Sequence, residues 1–157
     1  MNFKEKAVLF MATGCFIGKI PFAPGTFGSL AGILLCFILS KLSEPAAVVC
    51  MVLFILFSIW VANDAEKILQ KKDPGSIVID EIAGMAVTLI GLPFNVFYVA
   101  AGFVIFRILD ISKPFPIRYM EKRISGGAGI VLDDIAAGIA ANIILRVIFF
   151  LVPISIL

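Results

Sequence analysis

Histidine does not occur in this chain of 157 residues. That absence excludes the Ser-His-Asp triad, histidine-ligated zinc, phosphohistidine chemistry and the lipid phosphatases built on paired histidines. Cysteine is scarce as well. Cys15, Cys36 and Cys50 sit in apolar surroundings without metal-ligand spacing and read as small buried side chains. None is followed six positions later by Arg, so a cysteine-phosphatase loop is absent. Charged residues make up only 15% of the chain, against about 25% in soluble domains. The net charge of +2 is too small to imply a nucleic-acid partner. There is no internal repeat, no low-complexity linker and no convincing signal-peptide cleavage site. Any catalysis must come from carboxylates, hydroxyls, cations and bound metal.

What the chain has instead is apolar surface. Its hydrophobic fraction is 61% and its mean hydropathy +1.11, where soluble domains sit near 45–50% apolar. The length suits one domain over residues 1–157, and the expected fold is all-α: a compact hydrophobic helical bundle embedded in a membrane. Apolar runs predict helices from about Phe27 to Ser40, Pro45 to Ala62, Ser76 to Gly91, Asn95 to Leu109 and Asp133 to Val152. Pro45 suits a first helical turn and Ser76 an N-cap. A short amphipathic helix is expected over Ile117 to Ile124, with Arg118, Lys122 and Arg123 toward water or headgroups. Several of these helices are short for a full span.

If each long segment crosses, every motif-bearing loop falls on one face. Of the 13 Lys and Arg residues, all but Lys41 and Arg146 lie on that face or at its edge, which makes it cytoplasmic by the positive-inside rule. All acids except Glu44 share it. Three groups mark the ends of apolar helices: Asp80-Glu81, Asp110 and Asp133-Asp134. Taken singly, Asp110 reads equally as a solvated helix end and Asp133 as an N-cap. Gathered at one membrane boundary, the groups read as a site. Carboxylates brought together repel one another unless a cation joins them, and oxygen ligands without His or Cys suit a hard ion, Mg²⁺ or Mn²⁺. Two Gly-rich stretches, "PFAPGTFGSLAG" (Pro21 to Gly32) and "SGGAGIVLDD" (Ser125 to Asp134), lead toward helix N-termini that can face a phosphate or serve as plain turns. Arg107, Lys113 and Lys19 offer positive charge to such an anion.

These stretches carry a resemblance. "PFAPGTFGSLAG", "DPGSIVIDEIAGM", "AAGFVIFRILDISKPFPIR" and "GGAGIVLDDIAAGI", in this order from Pro21 to Ile139, resemble the phosphatidylglycerophosphatase A family. The resemblance implies a Mg²⁺-dependent phosphoric monoester hydrolase of the bacterial inner membrane. Its substrate would be phosphatidylglycerophosphate and its products phosphatidylglycerol and phosphate. It implies acids at Asp80, Glu81, Asp110, Asp133 and Asp134 as metal ligands, with Asp80, Glu81, Asp110 and Asp134 taking part in catalysis. Thr26, Ser29, Arg107 and Lys113 would bind the substrate phosphate. The match is loosest at "NDAEK", Asn63 to Lys67. Attack by an oriented water and attack by an Asp carboxylate both remain open, as does the oligomeric state. Two other classes join acids to an apolar bundle. A CDP-alcohol phosphotransferase would need a run of Asp, Gly and Arg that is missing here. A small cation transporter would place its acids at mid-membrane.

Overall fold

The computed structural model describes residues 1–151, without the side chains of residues 121–122. The predicted helix end at Val152 and the outward-facing side chain of Lys122 lie outside the described residues. The described chain is all-helical, with seven α-helices and no strand: α1 (Phe3–Ala12), α2 (Pro24–Leu39), α3 (Glu44–Leu69), α4 (Ile79–Leu89), α5 (Val96–Ser112), α6 (Ile117–Arg123) and α7 (Gly126–Leu151).

Local chemistry sets several of these boundaries. A capping box closes α1: the Glu5 N–H donates to Asn2 Oδ1 at 2.8 Å, and the Asn2 N–H donates to Glu5 Oε2 at 2.9 Å. Asn95 caps α5 by accepting from the N–H groups of Phe97 and Tyr98. Pro45 occupies the first turn of α3, where its missing N–H costs nothing. The Ser76 cap expected for α4 is not used. That helix begins at Ile79, and the segment before it is tied down instead by the Val78 N–H donating to the Ala12 carbonyl at 2.9 Å.

Two helices run further than their apolar patterns. The third helix continues past Ala62 through Asn63, Asp64, Glu66 and Lys67 to Leu69, since strong helix formers such as Ala, Glu and Lys extend a helix after its greasy part has ended. The last helix starts at Gly126 rather than near Asp133. Its glycines are not loop residues here. A Cβ added at Gly127 would stand 2.1 Å from the Ile59 carbonyl oxygen, so glycine lets α7 lie directly on α3. Asp133 and Asp134 therefore sit two turns inside a helix and not at its beginning.

The most enclosed element is α4, wedged between α2 and α7. Met85 on α4, Phe106 on α5, Val61 on α3 and Leu145 and Val131 on α7 are all essentially inaccessible and form the centre of the core. At the α4–α7 crossing a Cβ on Gly138 would fall 2.4 Å from the Gly84 carbonyl oxygen, which again requires glycine. Outside this core the surface remains apolar, including Val49, Leu53, Leu56 and Trp60 on α3 and Ile143, Val147 and Phe150 on α7. Both α3 and α7 have 26 residues and are apolar enough to cross a membrane. At 1.5 Å per residue each reaches about 39 Å, more than a hydrocarbon core of about 30 Å requires.

Candidate active site

The first turn of α4 and the third turn of α7 meet, and their acids meet with them. One carboxylate oxygen from each of Asp80, Glu81 and Asp134 lies within 4.8 Å of the others. Asp80 and Asp134 are buried. Glu81 Oε2 and Asp134 Oδ2 are buried without a hydrogen-bond partner. Asp110, in the last turn of α5, stands beside both Glu81 and Asp134.

A rim of polar groups surrounds this trio. Arg107 pairs with Asp110 one turn along α5. The same guanidinium nitrogen donates to Ser29 Oγ at 3.4 Å, and that buried hydroxyl donates to the Gly25 carbonyl at 2.8 Å. Arg107 Nε is buried without a partner. Lys113 pairs with Asp133, whose other oxygen, Oδ1, is likewise buried and unpartnered. Gly25 makes room for the rim to approach the trio: a Cβ there would lie 2.2 Å from Glu81 Oε1 and 3.3 Å from the Arg107 guanidinium.

The charges do not balance. Asp80, Glu81, Asp110, Asp133 and Asp134 face Arg107 and Lys113, which leaves three negative charges if all are ionised. Two carboxylates at the spacing of the trio repel by about 3 to 4 kcal/mol at an effective dielectric of about 20. Three such pairs would cost about 10 kcal/mol, comparable with the whole net stability of a domain. Unpartnered buried oxygens add a further cost of about 1–3 kcal/mol each. A divalent cation removes both penalties at once, and the orphaned Glu81 Oε2 and Asp134 Oδ2 are the acceptors it would use. The residues present therefore fit a hard metal ion held by oxygen.

The structure brings most of the sequence-derived residues together but sorts them. Asp80, Glu81 and Asp134 form the trio, and Asp110 adjoins it. Asp133 turns toward Lys113, because successive residues on a helix point about 100° apart. Ser29 and Arg107 belong to the rim. Thr26 is half-buried on the first turn of α2 and, among the described residues, makes no side-chain hydrogen bond to the cluster. Lys19 stacks over the Phe16 ring, 4.4 Å from its centroid. Sequence reasoning missed Gly25 as a determinant of the site. Its only mark was its place inside "PFAPGTFGSLAG", between two prolines' turn and the first hydroxyl.

Known proteins resemble this chain over most of its length. The family model described as phosphatidylglycerophosphatase A matches residues 10–149. A phosphatidylglycerophosphatase A of Escherichia coli is 42% identical over 148 residues, covering 94% of this chain and 86% of its own. A candidate phosphatidylinositol-3-phosphatase of Bacteroides thetaiotaomicron is 40% identical, covering 88% and 91%. A phosphatidylglycerophosphatase A of Haemophilus influenzae is 38% identical, covering 85% and 83%. No solved structure matches the chain significantly. A family match over residues 10–149, with 42% identity to a relative over nearly the whole length, makes this chain a member of the phosphatidylglycerophosphatase A family.

Proposed function

We propose that this protein hydrolyses the terminal phosphate monoester of phosphatidylglycerophosphate, releasing phosphatidylglycerol and inorganic phosphate at the cytoplasmic face of the bacterial inner membrane. The single observation that carries the chemistry is the trio of Asp80, Glu81 and Asp134, with two buried oxygens left unpartnered. Those three residues would hold Mg²⁺, with Asp110 and Asp133 beside them completing the negative field. When bound, the ion supplies Lewis-acid polarisation of the phosphoryl oxygens and offsets the charge of the cluster.

The chain's own side chains do the rest. Arg107, held by Asp110 and Ser29, presents a fixed guanidinium to the phosphate, and Lys113 adds a second positive charge from the end of α5. Thr26 supplies a hydroxyl on the first turn of α2, and the buried Ser29 on the second steadies Arg107. Glu81 orients a water for in-line attack on phosphorus and takes its proton. The new P–O bond forms as the ester P–O bond breaks, and the departing glycerol oxygen keeps the bonding pair and collects the proton from Glu81. The apolar flanks of α3 and α7 suit a bilayer, and the excess of Lys and Arg beside the acid-bearing segments supports a cytoplasmic orientation. A substrate seated there keeps its acyl chains in lipid while only its headgroup reaches the acids.

Phosphate release from phosphatidylglycerophosphate in detergent, with Mg²⁺ and with excess chelator, tests this reading in the unsubstituted protein and in Asp80→Asn. Release that requires Mg²⁺ and is lost in a folded Asp80→Asn protein is the expected result. Equal release by both proteins would remove Asp80 from the chemistry. Hydrolysis of a substrate made chiral at the terminal phosphorus with oxygen isotopes separates the routes: inversion supports one in-line displacement by water, whereas net retention would establish two displacements through an aspartyl-phosphate.

A further inference from the structure

Beside the trio lies a separate cavity of about 260 Å³, walled by Glu66 on α3, Lys72 and Asp73 in the following loop, and Ser125, Gly126 and Asp133 at the start of α7. Asp133 is 4% exposed, and its unpartnered Oδ1 belongs to the residue shared by this cavity and the acid cluster. The wall is fixed rather than incidental: Glu66 Oε1 accepts from the Asp73 N–H at 3.1 Å, which ties the loop to the end of α3. Gly126 has φ +71, and a Cβ there would approach Asn63 Oδ1 at 3.0 Å.

The lining says what the cavity takes. Lys113 offsets Asp133, and Glu66 and Asp73 against Lys72 still leave the described wall one negative charge in excess, which disfavours a second phosphate. Carboxylate acceptors, a serine hydroxyl and an ammonium, set beside Ile124 and Ile130, suit a neutral hydroxyl-bearing group. In a lipid phosphate monoester the group of that kind next to the scissile phosphate is the polyol between the diester and the terminal phosphate, which keeps one free hydroxyl in a glycerol and several in an inositol. The relatives' names point the same way, since two proteins of nearly equal identity to this chain are named for a glycerol-bearing and an inositol-bearing lipid. A shared phosphate centre with a separate polyol-reading wall accommodates both. We propose that this cavity is the subsite for the polyol that carries the scissile phosphate, an inference that rests on reading the trio as the phosphate-cleaving centre.

The test is steady-state hydrolysis of phosphatidylglycerophosphate in detergent by the full chain, by Asp73→Asn, which removes one acceptor, and by Ser125→Phe, which fills the cavity. Both variants should raise KM about tenfold, the loss of one hydrogen bond to a charged group. Their kcat should stay within about twofold, the pattern of lost uniform binding, and the Mg²⁺ concentration for half-maximal rate should not move. Circular dichroism and gel filtration establish that both variants are folded. An unchanged KM in both overturns the proposal. So does a fall in kcat at constant KM, which would move the wall into the chemistry. A shifted Mg²⁺ requirement would make the cavity a second cation site instead. Absence of Mg²⁺-dependent release by the unsubstituted protein has a different meaning: it removes the catalytic reading of the trio, and the subsite with it.

Discussion

The two ends of α4 are finished in opposite ways. At its C-terminus the freed carbonyls are collected: Asn142 Nδ2 donates to Thr88 at 2.9 Å, to Ile90 at 3.0 Å and to Val87 at 3.3 Å. Arg146 donates to the carbonyls of Ile90 and Gly91 and holds Asn142 Oδ1 at 2.8 Å. At the N-terminus Asp80 and Glu81 enter a buried space with Asp134, and oxygens are left with no partner. One helix, in one apolar bundle, thus carries a saturated end and a deficient one. Burying an unpaired polar atom costs about 1–3 kcal/mol and the charges cost more. A chain that satisfies Asn142 and Arg146 so completely has no structural need to leave Glu81 and Asp134 wanting. The deficient end is the one whose acids could hold a metal ion.

The strongest way to break this contrast is to remove one acid from the deficient end. Asp134→Asn should lower phosphate release about 10³-fold, the scale of losing one preorganised electrostatic group. Mg²⁺ should raise the melting temperature of the unsubstituted protein in detergent and leave that of Asp134→Asn unmoved, because an ion stabilises only the state that binds it. The substitution also removes one repelling charge, so the ion-free variant should melt no lower than the parent. A variant that keeps its Mg²⁺ response would place the ion elsewhere.

Gly25→Ala probes the same end without touching an acid. The added methyl would meet Glu81 Oε1 at 2.2 Å, and the flexible end of that side chain is what must give way. Alanine is the better helix former by about 1 kcal/mol, so α2 should not be weakened. Activity should fall about 100-fold, as expected when a reacting group is displaced by about 1 Å. Ser29→Ala is milder. It removes a hydroxyl that steadies Arg107 at 3.4 Å, and the expected loss is about fivefold, appearing in kcat/KM.

How much of this was legible in the sequence depends on which residues are considered. The all-helical fold followed from apolar runs, and Asp80 and Glu81 stood out because nothing around them was polar. The partnership of Asp134 rather than Asp133 with them was not legible. The two neighbours differ only by the 100° turn between them, and no pattern in "IVLDDIAAG" fixes the phase of α7 against α4. The start of α7 was misplaced for a related reason. Glycine reads locally as a breaker, whereas Gly127 is there because Ile59 comes too close for any side chain. Tertiary contact, absent from a single sequence, decided both. Asn142 was not read from the sequence, although a polar residue four before Arg146 in an apolar helix shares its face.

That pair supplies the last and smallest effect on activity. Asn142→Ala leaves the carbonyls of Val87, Thr88 and Ile90 without their shared donor, and Arg146 loses the oxygen that orients it. The expected cost is about 2 kcal/mol of stability, the scale of unmet buried acceptors, read as a lower melting temperature in detergent. Because Asp80 and Glu81 lie at the other end of α4, kcat per folded molecule should remain within about twofold of the parent. The opposite outcome, a large fall in kcat with an unchanged melting temperature, would mean that the saturated end does not serve stability alone. The contrast between the two ends would then have to be redrawn as one continuous device, with the clasp at the C-terminus setting the position of the acids at the N-terminus.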